Sequence, residues 1–228
     1  NEFYGTIRPK RRGRSGERPL HALSERGVEY VEVRCMDLDP FSPVGIKADT
    51  MRFLDVFLLH CLLHDSPPDT PEEIAANSRN QHRVAQRGRE PGLTLEQRGA
   101  ETTLAQWSGE LLRECAPVAA ALDRAHGTAA YSDVLSAATG AIAHASTTPS
   151  ARVLREMEAH ERLYLDFALS QSVRHQRYLQ GLPWDAETNE RYGRLALESH
   201  QAQQKMEAAD TVPFETYRQH YLALELLS

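Results

Sequence analysis

Cysteine is scarce in this chain. Three residues among 228 carry a thiol, and no two of them are spaced CxxC. Such a count cannot build a disulfide framework and fits a reducing compartment. Long apolar runs are also missing. None approaches the roughly 20 residues needed to span a bilayer, and the opening residues do not form a signal-peptide pattern. Several catalytic signatures are absent as well. There is no GxxxxGK[ST] or GxGxxG loop to cradle phosphates, and no GxSxG nucleophile turn. What remains is of ordinary globular composition, with 41% apolar and 25% charged residues. That is enough chain for one large domain or two small ones. The first residue is Asn, not Met, and Asn1 to Ile7 reads like strand and turn from inside a protein. The chain is therefore expected to be a fragment, or to be processed at its N-terminus.

Charge is unevenly placed. Residues 1–20 carry six basic groups against two acidic ones, although the whole chain is net −6. A basic head on an acidic body points to an anionic partner at one end. The same region leans toward β structure. A short strand is expected over Phe3–Ile7, a basic loop over 9–19 and a short helix over 20–26. Gly27 then precedes Val28–Cys35, the clearest strand by its β-branched and aromatic content. From about residue 49 the pattern turns helical. Asp49 or Thr50 can cap a helix to about His64, apolar nearly all round and so expected to be buried. Thr70-Pro71-Glu72-Glu73 reads as the start of a helix reaching Arg87. Further helices are expected at about 101–125, 129–145, 150–180, 186–209 and 214–227, with Asp185 a cap for the fourth of these.

Side chains alternate along a strand, so Tyr30, Glu32 and Arg34 share a face. Glutamate beside arginine suits a hard divalent cation and a phosphoryl group. By pattern alone, an ion pair on a solvated sheet face is the more ordinary reading. The basic loop has phosphate-binding composition. Without aromatic interleaving or a zinc module, however, nothing develops it into a nucleic-acid surface. His60 and His64 lie one helical turn apart, but the glutamate of HExxH and a third ligand are lacking. Cys35, Cys61 and Cys115 read as core residues. Arg79, Arg83 and Arg87 form one helical stripe, expected as a solvated face or as ion-pair partners.

An ordered series of segments is more specific than any of these. Tyr4-x-x-Ile7-Arg8-x-Lys10, Arg14-Ser15-Gly16-Glu17, Val28 to Arg34 and Asp37-x-Asp39-Pro40-Phe41-Ser42-Pro43-x-Gly45 occur in that order. Asn80-x-x-Arg83-Val84, Gly88-Arg89-x-Pro91-Gly92-Leu93, Ser150 to Arg155 and Met206-Glu207-Ala208-Ala209-Asp210-Thr211-x-Pro213-Phe214 follow. The series resembles bacterial glutamate–cysteine ligase along nearly the whole chain.

The resemblance implies an α+β fold, predominantly helical here: the C-terminal part of a glutamine-synthetase-like fold with a few strands near its start. Residues 1–48 would contribute to an active-site sheet and 49–228 would form a helical body, with the N-terminal half of the parent enzyme absent. It implies a cytoplasmic enzyme joining L-glutamate and L-cysteine with ATP, through a γ-glutamyl phosphate, as the first step of glutathione synthesis. By resemblance, Glu32 matches a ligand of Mg²⁺ (or Mn²⁺), and Arg34 an arginine facing the transferred phosphoryl group and substrate. Tyr4 matches a tyrosine of the cysteine pocket, and Arg8 and Lys10 fall where nucleotide phosphates would bind. No membrane or nucleic-acid partner is implied. Another ATP-dependent carboxylate–amine ligase of the same fold, or a non-catalytic helical module that binds anions, are the alternatives.

Overall fold

The computed structural model describes residues 5–14, 16–34, 36–66 and 68–223. These divide into two units. One comprises the described residues up to Asp37 and those from Leu182 onward, and the other is Leu38–Gly181. The strand-and-loop stretch that opens the chain is thus shared between them. The architecture is α+β and predominantly helical, as expected.

The first unit begins with β1 (Ile7–Lys10), α1 (Pro19–Arg26) and β2 (Tyr30–Val33). The two strands pair antiparallel, with Ile7 opposite Val33, Arg8 opposite Glu32, Pro9 opposite Val31 and Lys10 opposite Tyr30. Phe3 and Tyr4 of the expected strand lie outside the described residues; the strand runs from Ile7 and takes in Arg8 and Lys10, expected in or beside the loop. Pairing with β2 satisfies backbone groups that a loop would leave to water. Pro19 opens α1 where its missing N–H costs nothing. Gly27 (φ +72°) ends the helix in a conformation open to glycine, turning the chain directly into β2. The unit also contains α8 (Ala186–Ala209) and α9 (Phe214–Leu222). Asp185 caps α8 as expected, accepting from the Thr188 N–H at 2.6 Å.

The second unit is built on α2 (Ala48–Leu63), α3 (Pro71–Arg87), a hairpin of β3 (Thr94–Gln97) and β4 (Ala100–Thr103), α4 (Leu104–His126) and α5 (Ala130–Ala143). Its core is Val56 of α2, Leu112, Cys115 and Ala119 of α4, and Leu135 of α5, with Phe53, Phe57 and Leu122 packed around them. Thr70 forms a full capping box with Glu73 at the start of α3. Two expectations for α2 are corrected. Its N-cap is Lys47, without a side-chain bond, and Asp49 instead sits in the first turn, where a negative charge favours the helix dipole. Nor is the helix buried all round: only Val56 and His60 are buried, while Leu62 and Leu63 are 77% and 75% exposed. Only the face that meets α4 and α5 is covered.

The expected 150–180 helix is two helices, α6 (Pro149–Met157) and α7 (Tyr164–Gln180). Between them Glu161 and Arg162 adopt positive φ, and the Arg162 N–H turns back to the Met157 carbonyl at 3.0 Å. The break lets Phe167, fully buried, pack edge-on against Phe41 with ring centroids 5.9 Å apart. Arg152 of α6 covers the Phe41 ring at 3.6 Å, and His175 of α7 donates through Nε2 to the Pro40 carbonyl at 2.8 Å. Asp39, bonded to Lys47 at 2.8 Å and to the Phe41 N–H at 2.9 Å, fixes the turn that presents this ring. The Asp39-Pro40-Phe41 motif thus anchors a loop to α6 and α7.

A candidate active-site ribbon

The β1–β2 ribbon gathers most of the sequence-predicted site. Residues directly opposite in an antiparallel pair point to the same side, as do residues two apart. Arg8, Lys10, Tyr30, Glu32 and Arg34 therefore share one face. The ladder continues one step further, with the Arg34 N–H bonded to the Thr6 carbonyl at 2.7 Å. Ile7, Pro9, Val31 and Val33 occupy the other face. Tyr4, the predicted residue of the cysteine pocket, lies outside the described residues, as does Cys35.

Glu32 is the centre of this face. Its Oε2 lies 3.2 Å from Lys10 Nζ, and its Oε1 lies 2.6 Å from Arg34 Nη2. The side chain is about one-third exposed, at 31%. Desolvation raises its carboxyl pKa. The hydrogen bonds from Lys10 and Arg34, reinforced by their charges, outweigh that and hold it below the ordinary value. Arg8 stands directly across from Glu32. Three positive charges and one negative charge on a ribbon face suit a polyanion, and the single carboxylate suits a hard cation.

The loop behind β1 is held by a contact the sequence did not announce. Arg26 donates Nη1 to Glu17 Oε1 and Nη2 to Glu17 Oε2, each at 2.7 Å, and the Arg14 N–H reaches the same carboxylate at 2.8 Å. Both side chains are largely covered, 19% and 9% exposed. The Arg26 hydrogen bonds, then that of the Arg14 backbone, lower the Glu17 carboxyl from 4.5 to about 2. Nine residues separate the two partners, so no local spacing rule identifies them. The fork ties the basic loop to the last turn of α1, beside the ribbon.

Other candidates resolve differently. The His60 and His64 rings lie with centroids 5.2 Å apart and planes tilted by 49°, and His60 Nε2 lies 3.6 Å from Glu114. Among the described residues they do not form a three-ligand cluster. The cluster that does occur there is Glu17, His21 and Glu25, and Arg26 already engages both of its carboxylates. Arg79 and Arg83 pair with Glu96, and Arg87 with Glu90, so the arginine stripe serves ion pairs. Cys115 is buried as expected, whereas Cys61 is exposed.

The fold is shared with a ligase of known structure. A 2.0 Å crystal structure of glutamate–cysteine ligase from Francisella tularensis, in complex with AMP, matches with a TM-score of 0.85 and 33% identity, covering 96% of this chain and 43% of that one. The family model for glutamate-cysteine ligase matches residues 1–84. The glutamate–cysteine ligase of Azotobacter vinelandii is 44% identical over 223 residues, and that of Bordetella petrii 43% over 224. Each alignment takes in 98% of this chain and 42% of the relative. The chain is thus homologous to the glutamate–cysteine ligases along nearly all of its length, and spans about 42% of the length of those relatives. Among the described residues, no helix is long and apolar enough to cross a membrane.

Proposed function

We propose that this chain is the C-terminal part of a cytoplasmic ATP-dependent ligase that forms γ-glutamylcysteine from L-glutamate and L-cysteine, the first step of glutathione synthesis. The observation that carries the reading is the Lys10–Glu32–Arg34 cluster on a ribbon face, in a chain homologous to such ligases. The missing N-terminal half would supply most of the glutamate site and further metal-binding carboxylates. The isolated chain is then expected to be inactive.

The γ-carboxylate of glutamate is a poor acyl donor. Attack of its oxygen on the terminal phosphorus of ATP releases ADP and gives γ-glutamyl phosphate. The cysteine amine then attacks the acyl carbon, forms the amide and expels phosphate, losing a proton. Little covalent work falls to the protein, so positioning and charge neutralisation dominate. Glu32 fits as one ligand of Mg²⁺ or Mn²⁺. It is an anionic, partly exposed oxygen donor that already draws two cations, and its other co-ligands would come from outside this chain. The metal, when bound, would neutralise phosphate charge. Arg34 would orient the transferred phosphoryl group through its planar fork. Arg8 and Lys10 would meet nucleotide phosphates. Tyr4 would hold the incoming cysteine through a hydroxyl hydrogen bond.

The test is ATP- and cysteine-dependent γ-glutamyl transfer by the full-length enzyme and two variants. Glu32→Gln should lose activity far more than thermal stability. Arg34→Lys should also fail, because a point charge does not reproduce the fork. Wild-type turnover by either variant at saturating Mg²⁺ would remove that residue from the assignment.

A further inference from the structure

Each oxygen of the Glu32 carboxylate is held by a different cation. Arg34, from the same strand, sits on Oε1 at 2.6 Å, and Lys10, from the partner strand, sits on Oε2 at 3.2 Å. A divalent ion approaching either oxygen meets a positive charge already seated there, and the departure of one cation removes that repulsion. The two contacts are unequal. The Lys10 contact is the longer one and is made by a single ammonium on a flexible four-carbon stem. Both partners are about one-third exposed, so the pair is of the weak, solvent-screened kind. Once free of Glu32, Lys10 would stand on a face with Arg8 and Arg34. Like charges there would turn it toward any anion that approached.

We propose that Lys10 is a place-holder on Glu32. It neutralises the carboxylate before a metal binds, yields Oε2 to the metal, and is thereby released to bind a phosphate of the nucleotide. The inference rests on the reading of Glu32 as a metal ligand and deepens it. Metal and nucleotide phosphate would then favour one another through one side chain, and the coupling is reciprocal.

The test uses the full-length enzyme and reads the amine itself. Brief acetylation with an N-hydroxysuccinimide ester is quantified at Lys10 by peptide mass spectrometry, first without ligands, then with Mg²⁺, then with Mg²⁺ and ATP. Binding of Mn²⁺ is measured in parallel on Glu32→Gln, Lys10→Met and Lys10→Arg. Mg²⁺ alone should raise Lys10 labelling, and ATP should suppress it again. Lys10→Met should bind Mn²⁺ roughly two- to fivefold more tightly, the range a screened ion pair corresponds to. Lys10→Arg, which keeps the charge and grips the carboxylate through a fork, should bind it more weakly than wild type. If Glu32→Gln weakens Mn²⁺ binding but Lys10 labelling ignores Mg²⁺, the place-holder is refuted and the metal reading stands. If Glu32→Gln leaves Mn²⁺ binding unchanged, the metal reading fails and the place-holder falls with it.

Discussion

Glu17 shows how far one side chain can be tuned near the surface. A bidentate guanidinium and a backbone N–H converge on its carboxylate, and the pKa falls from 4.5 to about 2. A folded value below the unfolded one means that the stabilisation is fully present above about 4.5 and is lost as pH falls toward about 2. A carbon-13 NMR titration of the side-chain carboxyl should therefore find a midpoint well below that of an ordinary glutamate. In Glu17→Gln, stability should change less over the same acid range than in wild type. A Glu17 midpoint near 4.5 would show that the fork to Arg26 does not form in solution. Glu32 illustrates the other side of residue-scale reading. That it shares a face with Arg34 follows from strand alternation, but its contact with Lys10 needs the β1–β2 register. No pattern within either segment supplies that register.

Besides the ion pairs of Arg79 and Arg83 with the Glu96 side chain, the backbone of the β3–β4 hairpin is fastened to α3 by Asn80. Asn80, buried on α3, donates Nδ2 to the Glu96 carbonyl at 2.7 Å and accepts the Glu96 N–H on Oδ1 at 2.9 Å. Its amide thus mimics a neighbouring strand. Asn80→Ala would leave both backbone groups of Glu96 without their partner and should cost about 1–3 kcal/mol, read by denaturant unfolding of the chain. A loss within the error of the measurement would mean that water replaces the amide freely. The hairpin itself was not legible. Its two-residue turn is Arg98-Gly99, both at positive φ, and arginine hides a signal that asparagine or aspartate would have given. The Glu161–Arg162 break was hidden for the same reason, since neither residue is Gly or Asn. By contrast, the start of α3, the end of α4 and the start of α8 were readable because Thr70, Gly127 and Asp185 mark them with specific chemistry. Elements with chemical punctuation were legible, whereas those bent by tertiary contact were not.

At the scale of the whole molecule, the two units are unequally finished. The second has a core joining three helices. In the first, neither α8 nor α9 buries a residue, and Trp184, Leu195, Leu197 and Phe214 are at least half exposed. Apolar surface of this extent is unusual for a chain that works alone. The 228-residue chain should therefore bind a hydrophobic dye such as ANS strongly, and the full-length enzyme should bind it weakly per mole. Equal dye binding by the two would show that these helices stay exposed in the parent enzyme.

The pairing of β1 with β2 has a directional consequence. Because the Thr6 carbonyl faces the Arg34 N–H, alternation along the ladder turns the backbone groups of Ile7 and Pro9 away from β2, and those of Val31 and Val33 away from β1. Proline has no hydrogen to give, so the outer margin of β1 lacks a donor at its midpoint, whereas that of β2 keeps all of its own. Growth of the sheet is thus asymmetric by construction. A further strand, native or not, meets an obstacle beside Pro9 and a ready template beside Val31. When the chain is produced apart from its relatives' remaining length, polymerisation would begin along the Val31–Val33 margin.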